Sequence, residues 1–140
     1  MERVYIFDTT LRDGAQTKGV DFSFADKIAI SEALDDLGID YVEGGWPGAN
    51  PTDDKLFGSP PKLKVSNFVA FGMTRRPNTS AANDPGLNAV LSGKSDSVCL
   101  VGKTWDFHVS KALNITLEEN IDMISAVSYT HLTLPTNTPV

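Results

Sequence analysis

The chain has 140 residues, a length that one domain can account for, and its 41% apolar content suits a water-soluble globular fold. Its formal charge is −6 without any basic cluster, which argues against nucleic acid as a partner. No apolar run has the length of a membrane span and no basic leader with an apolar core opens the chain, so no membrane partner is expected and the cytoplasm is the default compartment. The single cysteine, Cys99, excludes an internal disulfide and a cysteine-based zinc cluster; in the strand-like run Val98-Cys99-Leu100-Val101 it reads as an inert buried thiol.

In chain order, the apolar run Val4-Tyr5-Ile6-Phe7 predicts a buried parallel strand. At Asp8 the chemistry changes: Asp8-Thr9-Thr10-Leu11-Arg12-Asp13-Gly14-Ala15-Gln16 packs two carboxylates, two hydroxyls, a guanidinium and an amide into nine residues. Ser23, with Asp26 three residues on, predicts a helix start of the capping-box kind. Ile30, Leu34 and Leu37 form its apolar stripe and Gly38 its stop. A second strand over 40–43 ends at Gly44-Gly45. This strand–helix–strand order needs a crossover, hence parallel strands and right-handed packing. Residues 46–64 are rich in Pro, Gly and Asp, with a short helix over 53–57 ended by Pro60-Pro61.

A third strand over 67–71 ends in Gly72-Met73-Thr74-Arg75-Arg76. Asp84-Pro85 predicts the cap and first position of a helix that carries Leu87, Val90 and Leu91 and stops at Gly93. The fourth strand, over 97–101, ends in Gly102-Lys103-Thr104-Trp105-Asp106. The last helix opens at Thr116, paired with Glu119 as a second capping box, and continues through Leu117, Ile121 and Ile124. Strand and helix thus alternate about four times, with every polar cluster after a strand. That is an α/β pattern of the parallel type. A TIM (β/α)8 barrel needs eight such units and typically about 250 residues. The fold expected is therefore the N-terminal half of a TIM barrel, truncated after about four βα units.

Within this frame Asp13 can give a hard oxygen ligand to a divalent cation, and Arg12 can stabilise negative charge on a substrate oxygen. The alternative for the same residues is a surface ion pair beside a turn. Glu43, at the end of the neighbouring strand, can hold Arg12 by a bidentate pair of hydrogen bonds, or can serve a purely structural ion pair. Thr74, Arg75, Arg76, Lys103 and Asp106 follow strands three and four and so belong at the rim; Arg75 or Arg76 meets phosphate there or is simply a solvated charge. Trp46 and Trp105 wall the pocket or cap the barrel core. His108 reads as an ordinary polar residue, because a lone histidine is a poor metal argument.

The nine-residue motif over 8–16 resembles the first-strand signature of the pyruvate-dependent acyltransferase and lyase family, which comprises the isopropylmalate, homocitrate and citramalate synthases and HMG-CoA lyase. The resemblance runs over 3–126. Gln16-Thr17-Lys18-Gly19-Val20-Asp21-Phe22-Ser23 and Val42-Glu43-Gly44-Gly45-Trp46-Pro47-Gly48 are most similar to the citramalate branch. It implies a TIM-barrel enzyme with a divalent metal (Mg, Mn or Zn) and acetyl-CoA as co-substrate, condensing pyruvate to citramalate. It also implies Asp13 as metal ligand, Arg12 and Glu43 as catalytic, and Arg12, Gln16 and Thr74 as substrate-binding. Isopropylmalate- or homocitrate-type synthesis and HMG-CoA-type cleavage are the alternatives on the same scaffold. The alternative outside enzymes is an inactive, self-associating fragment. Small-molecule substrates are the partners expected, and a homodimer for the parent enzyme. The family completes its metal site with a His-x-His pair on a late strand, and this chain, with two histidines, has no such pair. Residues 1–126 are taken as the N-terminal part of the catalytic barrel. Residues 127–140, rich in Thr and Pro and without acidic or basic side chains, are taken as a non-native or disordered tail in which helical periodicity is lost.

Overall fold

The computed structural model describes residues 2–131. Four strands alternate with helices: β1 (Phe7–Asp8), α1 (Phe24–Leu37), β2 (Tyr41–Gly45), α2 (Pro51–Gly58), β3 (Asn67–Met73), α3 (Pro85–Ser92), β4 (Ser97–Val101), then a short turn α4 (Asp106–His108) and α5 (Leu117–His131). The sheet order is β1-β2-β3-β4, the β1/β2 and β2/β3 pairs are parallel, and a helix follows each strand. This is the winding of a (β/α)8 barrel over its first four units. Two compact units form: Met1–Gly72 with Ala89–Cys99, and Met73–Asn88 with the described residues from Leu100 on.

In the first unit, α1 starts as its sequence dictates. The Ser23 hydroxyl accepts from the Asp26 N–H (3.2 Å) while the Asp26 carboxylate accepts from the Ser23 N–H (2.9 Å), and Gly38 ends the helix in a left-handed conformation. The buried face is not the expected one. Lys27, Ser31 and Asp35 are buried, one turn apart, while Leu37 is 75% exposed. Polar groups occupy this face because each is paired: Lys27 with Gly44 and Asp53, Asp35 with residues 64–66, and Ser31 with the Lys27 carbonyl of its own helix. Asp35 accepts backbone N–H bonds from Lys64 (2.8 Å), Val65 (2.9 Å) and Ser66 (2.7 Å), pinning the turn that leads into β3.

Those N–H bonds, Lys64's and Ser66's foremost, hold the Asp35 carboxyl well below the usual carboxylate range. A depressed folded value means a stabilisation that is complete above the unfolded value of about 3.9 and is lost as pH falls toward the folded one. Asp35→Asn turns one acceptor oxygen into a donor that faces an N–H. Amide hydrogen exchange at Lys64, Val65 and Ser66 in the full-length protein should then speed up at least about tenfold at neutral pH. Unchanged protection at these three amides would show that Asp35 does not hold the turn.

The first strand also departs from expectation. Val4, Tyr5, Ile6 and Phe7 are 81%, 58%, 55% and 44% exposed, and the paired strand is only Phe7–Asp8. They are not a buried strand here because β1 ends the sheet order and pairs with β2 alone. β2 runs through Gly44-Gly45 instead of stopping there, with a bulge against β3 between Glu43 and Gly45. The core of this unit gathers Leu11, Val42, Leu56, Phe57, Phe68, Val69, Ala70 and Phe71.

In the second unit Ala81, Leu87 and Val127 pack together, with Leu100 and Ala126 against them. Asp84 caps α3 by accepting from the Leu87 N–H (3.0 Å), as the Asp-Pro start predicts. Thr116 accepts from the Glu119 N–H (3.1 Å), but the reciprocal half of the expected capping box is not made, since the Glu119 carboxylate turns to Arg75 (3.1 Å). The face α5 buries is Asn120, Met123 and Val127, while Leu117 and Ile121 are 55% and 62% exposed. Helical structure does not stop at Ala126: α5 continues to His131 and Val127 is 2% exposed. The rest of the expected tail, 132–140, lies outside the described residues.

Candidate functional site

The carboxyl ends of β1 and β2 are neighbours, with Asp8 in register with Val42. This brings Arg12, in the turn after β1, against Glu43 near the end of β2. Arg12 Nε donates to Glu43 Oε2 at 2.7 Å and Nη1 donates to Asp13 Oδ1 at 3.0 Å. The guanidinium carbon also lies 4.2 Å from the centre of the Phe71 ring. Arg12 therefore bridges two carboxylates instead of gripping Glu43 by two bonds, and its Nη2 has no partner among the described residues. Three constraints from three segments (the turn after β1, β2 and β3) fix the plane of the guanidinium. A planar fork stacked on a ring and bonded at two edges loses little freedom on meeting an oxyanion.

Burial sorts the three charged groups. The Glu43 side chain is 1% exposed, that of Arg12 19% and that of Asp13 60%. Glu43 thus faces the guanidinium from inside, and Asp13 turns outward with one oxygen clear of Arg12. The bulge after Glu43 falls where only glycine fits: a Cβ at Gly44 would come within 2.3 Å of the Phe68 ring. Upstream, the Asp8 carboxylate accepts from the Thr10 N–H (2.9 Å) and hydroxyl (3.1 Å), which closes the turn that presents Arg12. Partial burial pushes the Cys99 thiol up from its ordinary value, and the Glu43 carboxylate that accepts its hydrogen bond adds to this. The thiol is half-buried, not buried as the sequence suggested.

A cleft of about 360 Å³ opens beside Arg12. Arg12, Gln16 and Trp46 are among its walls, and Lys27 and Asp53 line it as well. Gln16 is thus on the same cleft as Arg12. Thr74 belongs to the second unit, where its N–H donates to the Val101 carbonyl (3.3 Å). Arg75 is neither a solvated charge nor an open phosphate ligand. Its side chain is 8% exposed, pairs with Glu119 (3.1 Å) and Asp122 (2.5 Å) and donates to the carbonyls of Arg76 and Thr79. His108 meets Trp105 edge-on, ring centres 4.5 Å apart. The sequence reading missed Phe71, Lys27 and Asp53. Only Asp53 carried a local signal, at the third position after the cap residue Asn50, where its N–H donates to the Asn50 side chain (2.9 Å).

Of the two carboxylates on Arg12, Asp13 is the exposed one, with one oxygen clear of the guanidinium. Among the described residues no group of three or more His, Cys, Asp or Glu could hold a metal ion. A single carboxylate does not make up a divalent-cation site.

The family model HMGL-like matches residues 3–131. The chain is 52% identical over 125 residues to an (R)-citramalate synthase of Aquifex aeolicus, covering 88% of this chain and 24% of that protein. It is 46% identical over 129 residues to one of Sulfolobus acidocaldarius, covering 90% and 25%. Relatives named 2-isopropylmalate synthase match at 32–36%. The chain therefore spans about a quarter of the length of the curated relatives it matches. The solved HMG-CoA lyase of Brucella melitensis superposes with a TM-score of 0.71 at 19% identity, over 94% of this chain and 46% of the lyase. That coverage agrees with an N-terminal barrel half. With the family model matched from just before β1 to the end of α5, this chain belongs to the HMGL-like family.

Proposed function

We propose that the full-length protein containing this chain is an (R)-citramalate synthase-type acyltransferase that condenses pyruvate with acetyl-CoA. The observation that carries the reading is the Arg12 guanidinium, held edge-on by Glu43 and Asp13 and face-on by Phe71 at the carboxyl ends of parallel strands. The higher identity to proteins named (R)-citramalate synthase than to those named 2-isopropylmalate synthase supports the choice of oxo acid. The reaction joins the methyl carbon of acetyl-CoA, after loss of a proton, to the keto carbon of pyruvate. The keto oxygen gains negative charge in that step, and hydrolysis of the thioester then releases CoA and citramalate.

Arg12 is the group of this chain suited to that developing charge. Its position is set before substrate arrives, so little reorganisation accompanies the reaction. Glu43, buried and anionic, keeps the guanidinium turned toward the site. Gln16 offers an amide at the same cleft for the substrate carboxylate. A divalent cation of the Mg, Mn or Zn class would supply Lewis acidity when bound. Asp13 would be one of its ligands, but the described residues do not complete a coordination shell and no step is assigned through it. The synthase reading also carries the cytoplasm, a role in branched-chain amino-acid synthesis and a homodimer as its corollaries.

CoA release by the full-length enzyme, measured with pyruvate, 2-oxoisovalerate and 2-oxoglutarate, tests the assignment. Pyruvate should give a kcat/KM at least about a hundredfold above the others, the range that added methylene groups in an apolar pocket command. A preference for a branched or longer oxo acid would replace the assignment by an isopropylmalate- or homocitrate-type synthesis.

A further inference from the structure

Lys27 and Asp53 are both buried, at 4% and 5% exposure, and stand outside the Arg12–Glu43–Asp13 group. Lys27, in the first turn of α1, donates from Nζ to the Gly44 carbonyl (3.0 Å) and to the Asp53 carboxylate. The other Asp53 oxygen accepts from the Trp46 N–H (2.9 Å) and from the Asn50 side-chain amide (3.0 Å). The carboxylate sits so close to β2 that a Cβ at Gly45 would come within 2.5 Å of it. Tying α1 to α2 does not require this arrangement, since a buried ion pair is no better than a packed apolar pair at holding helices together. What an apolar pair cannot do is bond one carbonyl and one N–H of segment 44–46, the three residues that follow Glu43. From that segment contact runs back to the site. The Trp46 ring meets Phe71 edge-on with centres 5.2 Å apart, and Phe71 carries the Arg12 guanidinium at 4.2 Å.

We infer that the Lys27–Asp53 ion pair positions segment 44–46 and, through Trp46 and Phe71, aims the Arg12 guanidinium. Both are positioning residues. The inference rests on the role given to Arg12 above, and its test separates the two. In the full-length enzyme, Lys27→Met and Asp53→Leu singly each leave one buried charge without its partner and should lower thermal stability. The double variant removes both charges and keeps the volume but leaves the Gly44 carbonyl and the Trp46 N–H without these partners, so it should fold and melt below wild type and above either single variant. If the pair positions Arg12, the double variant still loses at least about tenfold in kcat with KM for pyruvate within about threefold, because Arg12 meets charge that develops in the transition state. Its Trp46 resonance, read by 19F NMR of 5-fluorotryptophan-labelled protein and assigned with Trp46→Phe, shifts or broadens. Wild-type kcat with an unmoved Trp46 resonance in the folded double variant would overturn the inference and leave the pair as a helix tie.

Should the double variant not fold, Asp53→Asn, which keeps an acceptor for the Trp46 N–H, answers the same question. It should retain the Trp46 resonance and restore kcat to within about fivefold of wild type relative to Asp53→Leu. An Asn variant as impaired as the Leu variant, with Trp46 unmoved, would overturn the inference. If the wild-type enzyme condenses no oxo acid with acetyl-CoA, the functional assignment fails. The Trp46 resonance and the exchange rate of the Arg12 Nε–H then still report whether the ion pair sets this segment.

Discussion

Arg12→Lys in the full-length enzyme is expected to lower kcat at least about tenfold, a loss of about 1.4 kcal/mol of transition-state stabilisation, with the fold intact. The expectation follows from the three contacts of the guanidinium. Nε and Nη1 bond two different carboxylates, 2.7 and 3.0 Å away, while the flat face lies on Phe71. An ammonium can satisfy Glu43, whose burial demands a cation, so the fold keeps its ion pair. It cannot also reach Asp13, lie flat on the ring and present a further donor to an oxyanion. Steady-state kinetics together with circular dichroism check this. A folded variant with near-normal kcat would remove Arg12 from the oxyanion role.

Residues 1–140 produced alone are expected to self-associate and to show no condensation activity. The terminal strand and the residues before it present Val4, Tyr5, Ile6 and Phe7 to solvent, all at least 44% exposed, with no second strand neighbour for β1 among the described residues. Open edges of this kind pair with other chains unless charge or proline blunts them, and residues 4–7 contain neither. In the second unit Trp105, Phe107, Leu117 and Ile121 add exposed apolar surface, each above 50%. Apolar area left in water costs about 25 cal/mol per Å², and a whole domain has only about 5–15 kcal/mol of net stability. Size-exclusion chromatography over a range of concentrations should show species larger than a 140-residue monomer, and Ile6→Lys should shift them toward monomer. A wild-type monomer with a sharp cooperative melt at every concentration, or metal-dependent activity from this chain, would refute the expectation.

Much of this architecture was readable before any coordinates. The alternation of apolar runs with capped helices predicted four βα units, because turn and cap chemistry is local: Ser23 with Asp26, Asp84-Pro85 and Gly38 act within a few residues of themselves. The Arg12-Asp13 motif and Glu43 were legible for a related reason, since adjacent parallel strands bring their carboxyl ends together whatever the intervening helix contains. The tertiary structure alone decided which faces are buried. Ile30, Leu34 and Leu37 have the spacing of a core stripe, yet α1 buries Lys27, Ser31 and Asp35, whose charges and hydroxyl find partners more than twenty residues away or on their own helix. Leu117 and Ile121 similarly yield to Asn120, Met123 and Val127 on α5. Periodicity records which side chains avoid water but not which surface the neighbouring elements offer. Phe71 under Arg12 and the Lys27–Asp53 pair under Trp46 join segments from opposite ends of the first unit. No spacing within a single element encodes such pairs; they exist only once the parallel sheet has set its register.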